Sequence, residues 1–164
     1  MASLNANDNT AGDRPSGVPW PPILLVGTVF GAIVLKRIFP LSWPGVDDLA
    51  AQTVGLSIGA MGLGLIAWAL WTLSRAKTTV MPHKGSTALV TSGPFQRLRN
   101  PIYLGDAMVL LGVAELTKNI WFAILVPVFI GLVTWLAILP EERYLEKKFG
   151  DAYRDYKAKT KRWI

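Results

Sequence analysis

Long apolar stretches separated by short basic ones dominate the chain. The first runs from Trp20 to Leu35, begins among Pro19, Pro21 and Pro22, and is closed by Lys36 and Arg37. Leu49 to Ser74 follows without a charged residue, and Arg75 and Lys77 stop it. At about 1.5 Å per residue a helix of that length crosses a hydrocarbon layer of roughly 30 Å. A polar segment from Ala76 to Asn100 carries Pro82, Gly85, Gly93 and Pro94. Beyond it, Pro101 to Leu116 is joined through Thr117 to Asn119 to a fourth stretch, Ile120 to Leu139, that has no charge. So short a connection makes the last two stretches antiparallel neighbours. The pattern predicts an all-α polytopic membrane protein with about four transmembrane helices.

After Leu139 the pattern changes. Leu145, Phe149, Tyr153 and Tyr156 recur at helical spacing among Lys, Arg and Glu, and Gly150 with Asp151 offers a stop and a new N-cap. This predicts C-terminal amphipathic helices on the membrane surface, with Trp163 as an interfacial anchor. Pro140 is expected to end or kink the fourth span and begin a new helix. The first nineteen residues are polar and lack a basic start, which predicts a disordered tail ahead of a single domain over residues 20–164. Arg14, Arg75, Lys77, Lys84, Arg97, Arg99 and the tail from Arg143 to Arg162 fall on one side of the membrane, and only Lys36, Arg37 and Lys118 on the other. Both termini are therefore expected in the cytoplasm.

Composition narrows the chemistry. Half of the 164 residues are apolar, more than a soluble domain of this size readily hides. The absence of cysteine excludes disulfides, zinc-thiolate sites, iron-sulfur clusters and a thiol nucleophile. One histidine, His83, cannot build the multi-imidazole site of a membrane oxygenase, so no metal is expected. The formal charge of +6 lies beside hydrophobic spans and not in a separate domain, which points to anionic lipid headgroups and away from nucleic acid.

The hairpin brings Arg99 and Asn100, ahead of its outward helix, level with Glu141 and Glu142, beyond its return helix, so a site assembled there is cytoplasmic. Each residue also has a plainer role. Asn100 with Pro101 suits a helix start, and two glutamates suit a first helical turn. A free helix N-terminus beside Arg99 can also bind a carboxylate, and paired carboxylates can hold an amino group or ribose hydroxyls. Asp106 lies inside the third span, one turn beyond Tyr103 and about two beyond Arg99, where it either serves a site or pairs with Arg99. Glu115, at the far end of that helix, is expected at the interface. His83 is either a ligand contact or general base, or simply solvated. Gly55, Gly59, Gly62 and Gly64 sit in a hydrophobic span with no preceding strand, which favours close helix packing over a nucleotide-binding loop.

Leu89-Val90-Thr91-Ser92-Gly93-Pro94-Phe95, then Arg99-Asn100-Pro101-Ile102-Tyr103-Leu104-Gly105, then Glu141-Glu142 through Leu145, Phe149-Gly150, Tyr153 and Tyr156 resemble the isoprenylcysteine carboxyl methyltransferase and phospholipid methyltransferase superfamily. The ordered set covers roughly Met81 to the end. The resemblance implies an all-helical membrane enzyme that binds S-adenosylmethionine in a cytoplasmic pocket closed by the C-terminal segment and open laterally to lipid. By the match, Arg99, Asn100, Tyr103, Glu141 and Glu142 contact the cofactor, Val90, Thr91 and Gly93 form its wall, and His83 adds a further contact. Arg99, Tyr103 and Glu142 are the implied catalytic set. The family often has histidine at the position of Asn100. Prenylcysteine enzymes carry an arginine just before the paired glutamates, where this chain has Leu139-Pro140, so the acceptor classes left open are a lipid amine, an isoprenoid or other carboxylate, or a thiol. The competing functions are a membrane reductase related to the sterol reductases and a non-catalytic membrane scaffold.

Overall fold

The computed structural model describes residues 19–43, 49–76 and 89–164. The N-terminal tail up to residue 18, Lys77, Lys84 and His83 lie outside the described residues. Six helices follow in chain order: α1 (Trp20–Ile38), α2 (Leu49–Arg75), α3 (Pro101–Thr117), α4 (Ile120–Val133), α5 (Leu139–Phe149) and α6 (Asp151–Lys159). A 3₁₀ turn, Gly93–Gln96, precedes α3, and a π turn, Thr134–Ile138, joins α4 to α5 without a break in the helical backbone.

Among the described residues three helices are long and apolar enough to cross a membrane: α1 with 19 residues, α2 with 27, and the continuous α4–α5 run of 30 from Ile120 to Phe149. Their outward faces carry Val26, Phe30, Leu63, Trp71, Val128 and Trp135, all at least half exposed, a surface that only lipid satisfies. The protein is an integral membrane protein. The remaining apolar helix, α3, has 17 residues and includes Asp106 and Glu115. It packs against α2 and α4, and α1 packs chiefly on α4 while also touching α3.

Contact with two helices explains why α3 buries residues on two faces. Tyr103, Ala107, Leu110 and Ala114 join Phe122, Val126, Phe129, Val133 and Ala137 of the neighbouring helix in the core. Toward α2 the backbones themselves meet. A β-carbon on Gly59 would lie 3.0 Å from the Gly112 α-carbon, and one on Gly62 would lie 2.7 Å from the Gly105 carbonyl oxygen. Helices in lipid gain no hydrophobic drive from association, so close backbone approach through small residues supplies the dispersion contact that holds this seam. Gly64, by contrast, faces open space.

The hairpin forms as the connection length requires. Lys118 takes a left-handed conformation (φ 47°), and Asn119 caps α4 by accepting from Trp121 N at 3.1 Å. Glu115 is buried, paired with Lys118 at 2.5 Å and packed against Gly55. Pro140 does not end the helix. It has no N–H to give the carbonyl four residues back, and the π turn immediately before it widens the backbone so that α5 continues. At Gly150 (φ 55°) the chain does stop, and Gly150 itself precedes α6, so Asp151 is the first residue of that helix and pairs with Arg154.

Candidate functional site

Because α3 begins at Pro101 and the return run reaches Glu141 after about the same rise, the two ends meet at one end of the bundle. Pro101 is at the first helical position, as its fixed φ favours. Asn100 stands at the cap position but does not cap with its side chain. Its Nδ2 instead donates to the Arg162 carbonyl at 3.0 Å, a bond spanning 62 residues of sequence.

That bond belongs to a larger docking of the C-terminal strand onto the segment before α3. Arg99 N donates to the Lys161 carbonyl at 2.8 Å and Lys161 N to the Arg97 carbonyl at 2.9 Å, forming one parallel bridge between Leu98 and Lys161. From α6, the Tyr156 hydroxyl donates to the Phe95 carbonyl at 2.8 Å. Burial pushes the Tyr156 phenol up to about 12, with the positive charge of Arg99 acting in the opposite direction. Burial raises Tyr153 as well, so both phenols remain hydrogen-bond donors through the physiological range. Trp163 is partly buried and packs against the core cluster.

Glu142 is the centre of the arrangement. It is 6% exposed and receives Arg99 Nε on Oε1 at 3.2 Å, Arg162 Nε on Oε1 at 3.0 Å and Arg162 Nη2 on Oε2 at 2.7 Å. Hydrogen bonds to Glu142 raise Arg162 above the ordinary arginine value. Arg99 turns its remaining donors to main chain, with Nη1 at 2.9 Å from the Lys157 carbonyl and 2.5 Å from that of Thr160. Two guanidinium groups around one buried carboxylate leave an excess positive charge, held in place by backbone acceptors.

Beside this cluster Tyr103 and Glu141 lie close enough to act on each other electrostatically. Asp106 lies near enough to act on Tyr103 electrostatically, but it does not pair with Arg99, whose donors are taken by Glu142 and the C-terminal backbone. Arg99, Asn100 and Glu142 are therefore brought into one bonded group, with Tyr103 and Glu141 adjoining it. Thr91 is exposed and borders a groove of about 300 Å³ shared with Tyr156 and Thr160, on the flank of the same cluster. Val90 is half-buried just before it. Gly93 faces away, toward Thr72 of α2. Among the described residues no three His, Cys, Asp or Glu side chains gather as a metal site.

Sequence reasoning missed Arg162, which looks like one cation in a basic tail. Its signal is the apolar Trp163 that follows it after the polar helix α6 and packs against the core.

Comparison with known proteins bears on this geometry. A protein of Haemophilus influenzae described only as uncharacterized is 38% identical over 63 residues, covering 38% of this chain and 79% of its own length. The nickel-cobalt-cadmium resistance protein NccN of Alcaligenes xylosoxydans xylosoxydans is 25% identical over 118 residues, which are 70% of this chain and 51% of NccN. The chain thus spans about half the length of that relative. The profile of the phospholipid methyltransferase family matches residues 50–152, which extends the likeness upstream of Met81 through the whole of α2 and leaves Arg162 outside it. With well over half of its length matched, from the start of α2 into α6, the chain belongs to the phospholipid methyltransferase family of integral membrane methyltransferases.

Proposed function

We propose that this protein transfers the methyl group of S-adenosylmethionine to a lipophilic acceptor at the cytoplasmic membrane face, with an amine-bearing lipid as the acceptor class. The observation that carries the proposal is the convergence of Arg99, Asn100, Arg162 and buried Glu142 at the end of the hairpin, next to Tyr103 and Glu141.

The donor set fits the cofactor. Its amino-acid end is a zwitterion, for which the excess guanidinium charge suits the carboxylate and a glutamate suits the ammonium. Glu141, Tyr103 and Asn100 offer the neutral and acceptor groups that ribose hydroxyls require. When bound, S-adenosylmethionine supplies a methyl group already activated by its sulfonium. The protein's own residues therefore need only bind, orient and exclude water. Arg99 holds Glu142 through its own Nε bond, so the carboxylate keeps one guanidinium partner when Arg162 moves. Tyr153 and Tyr156 close the site from α6, and an acceptor amine needs no base provided that it arrives neutral. Lys36 and Lys118 share one end of the bundle and Arg99 and Arg162 the other, which supports a cytoplasmic site under the positive-inside rule.

Calorimetry on the detergent-purified protein tests the proposal with S-adenosylmethionine, S-adenosylhomocysteine and a reduced nicotinamide dinucleotide as separate titrants. The expected result is binding of the first two, lost in folded Arg99→Ala and Glu142→Ala variants. Binding of the nicotinamide alone would establish a reductase in its place, and binding of none by the folded wild type would leave a scaffold.

A further inference from the structure

The last turns of α2 place Trp68, Trp71, Thr72 and Arg75 at i, i+3, i+4 and i+7, one stripe on one face of the helix. The loop carrying Ser92 and Gly93 leans on that stripe. It can do so because Gly93 has φ +59° and no side chain, since a β-carbon there would sit 2.6 Å from Thr72 Oγ1 and 3.4 Å from Trp68 Nε1. Between stripe and loop lies a groove of about 450 Å³ lined by Trp68, Trp71, Thr72, Arg75, Ala76, Ser92 and Gly93, a volume within the roughly 300–1,000 Å³ of small-ligand sites.

Its chemistry is one-sided. Arg75 stacks over the Trp71 ring at 4.6 Å, which fixes the guanidinium at the rim. Among the described residues neither the Trp68 nor the Trp71 indole N–H has an acceptor, and Arg75 has no carboxylate partner. The sequence offers none nearby, because no Asp or Glu occurs between Asp48 and Asp106. The groove therefore presents two indole donors and an uncompensated guanidinium at the end of a membrane-spanning helix, on the basic side of the protein, while the Thr72 hydroxyl already donates to the Trp68 carbonyl at 2.8 Å. An acceptor-only, negatively charged group at headgroup depth is their complement, and indoles favour that depth.

We infer that the Trp68–Trp71–Arg75 groove binds the phosphate of an anionic phospholipid headgroup. This site is separate from the Glu142 cluster. The 3₁₀ turn lies between them, with Gly93 facing α2 on one flank and the Phe95 carbonyl taking Tyr156 on the other. The inference rests on the membrane placement of α2 and not on methyl transfer.

Native mass spectrometry of the full chain released from detergent tests it, with phosphatidylglycerol and phosphatidylcholine as probes and Arg75→Gln, Trp71→Leu and Arg37→Gln as variants with wild-type helical content. Phosphatidylglycerol is expected to be retained over phosphatidylcholine, with retention falling about fivefold in Arg75→Gln and Trp71→Leu and unchanged in Arg37→Gln, a cation at the opposite end. Equal retention in Arg75→Gln and wild type, or an equal loss in Arg37→Gln, would overturn the inference. Displacement of the lipid by millimolar inorganic phosphate would overturn the lipid as ligand and assign the groove to a soluble phosphate.

Discussion

The two ends of the bundle are both tied by side chains that reach across long stretches of sequence, but they use their polar groups differently. At the end with the tight turn, Lys36 Nζ donates to the Thr117 carbonyl at 2.8 Å, Asn119 Nδ2 to the Ala32 carbonyl at 3.0 Å and Trp121 Nε1 to the Phe39 carbonyl at 2.8 Å. These three acceptors are main-chain carbonyls, so the bonds close α1 onto the hairpin, and the buried Glu115 carboxylate at this end is paired with Lys118. At the other end the acceptor that gathers the donors is an ionised side chain, and two guanidiniums share it. A structural clasp needs only to satisfy backbone groups. Holding an excess charge in a buried place costs free energy, and that arrangement is expected where a ligand is to be recognised.

Removing the shared acceptor gives the sharpest test of this contrast. In Glu142→Gln two guanidiniums face each other around a neutral amide, which is expected to lower stability by roughly 3–5 kcal/mol, as for other broken buried pairs, and to abolish S-adenosylmethionine binding. Thermal unfolding and calorimetry on the same sample separate the two effects. A folded Glu142→Gln protein that binds as the wild type does would make this end a clasp like the other.

The mirror experiment is Asn119→Ala. It removes the cap on α4 and one bond to the Ala32 carbonyl, which remains inside helix α1, for an expected loss of roughly 1–2 kcal/mol with no change in the affinity of the protein that remains folded. An affinity that falls with stability would mean that the ends are coupled through α3 and α4.

What the sequence made legible follows from the range of the interactions. Uncharged runs and a three-residue connection are local facts, and they gave the apolar helices and the hairpin, with Arg99 level with Glu142. The Gly55–Gly62 repeat could be assigned to packing because a helix presents such spacing on one face, although only the structure shows Gly105 and Gly112 opposite. The partner of Asn100 lies 62 residues away, so its short polar side chain beside a proline had the look of an ordinary cap. Pro140 is expected to end or kink the span and begin a new helix, and α5 does begin beside it, but the π turn that carries the helical backbone through has no signal in the residue types. The contact of Trp163 with the core follows from the pairing of Lys161 with Arg97, a long-range bond that residue type alone does not show.

Arg162 separates two roles for the tail. If it chiefly clamps the C-terminal strand over the site, Arg162→Ala weakens S-adenosylmethionine binding about tenfold, equal to about 1.4 kcal/mol, while Arg99 still holds Glu142. The expected companion result is faster proteolysis of the tail after Lys159, and Arg162→Lys restores part of both. Tighter binding in Arg162→Ala would show that the guanidinium competes for Glu142 instead.

The smallest effect belongs to Lys36→Met. Its ammonium lies at the C-terminal end of α3, where the last carbonyls carry partial negative charge, and the contact is exposed. Such a cation contributes roughly 0.3–1 kcal/mol, and methionine keeps most of the apolar stem. Thermal unfolding in detergent is expected to shift by a degree or so at most, with cofactor affinity unchanged. Adding Arg99→Lys to the same chain then provides the contrast within one molecule. There the lysine keeps the charge but cannot reach Glu142 and two carbonyls at once, so affinity is expected to drop by more than tenfold for a comparable change in formal structure. A Lys36→Met variant that loses as much affinity as Arg99→Lys would show that charge near either end, and not the geometry around Glu142, governs binding.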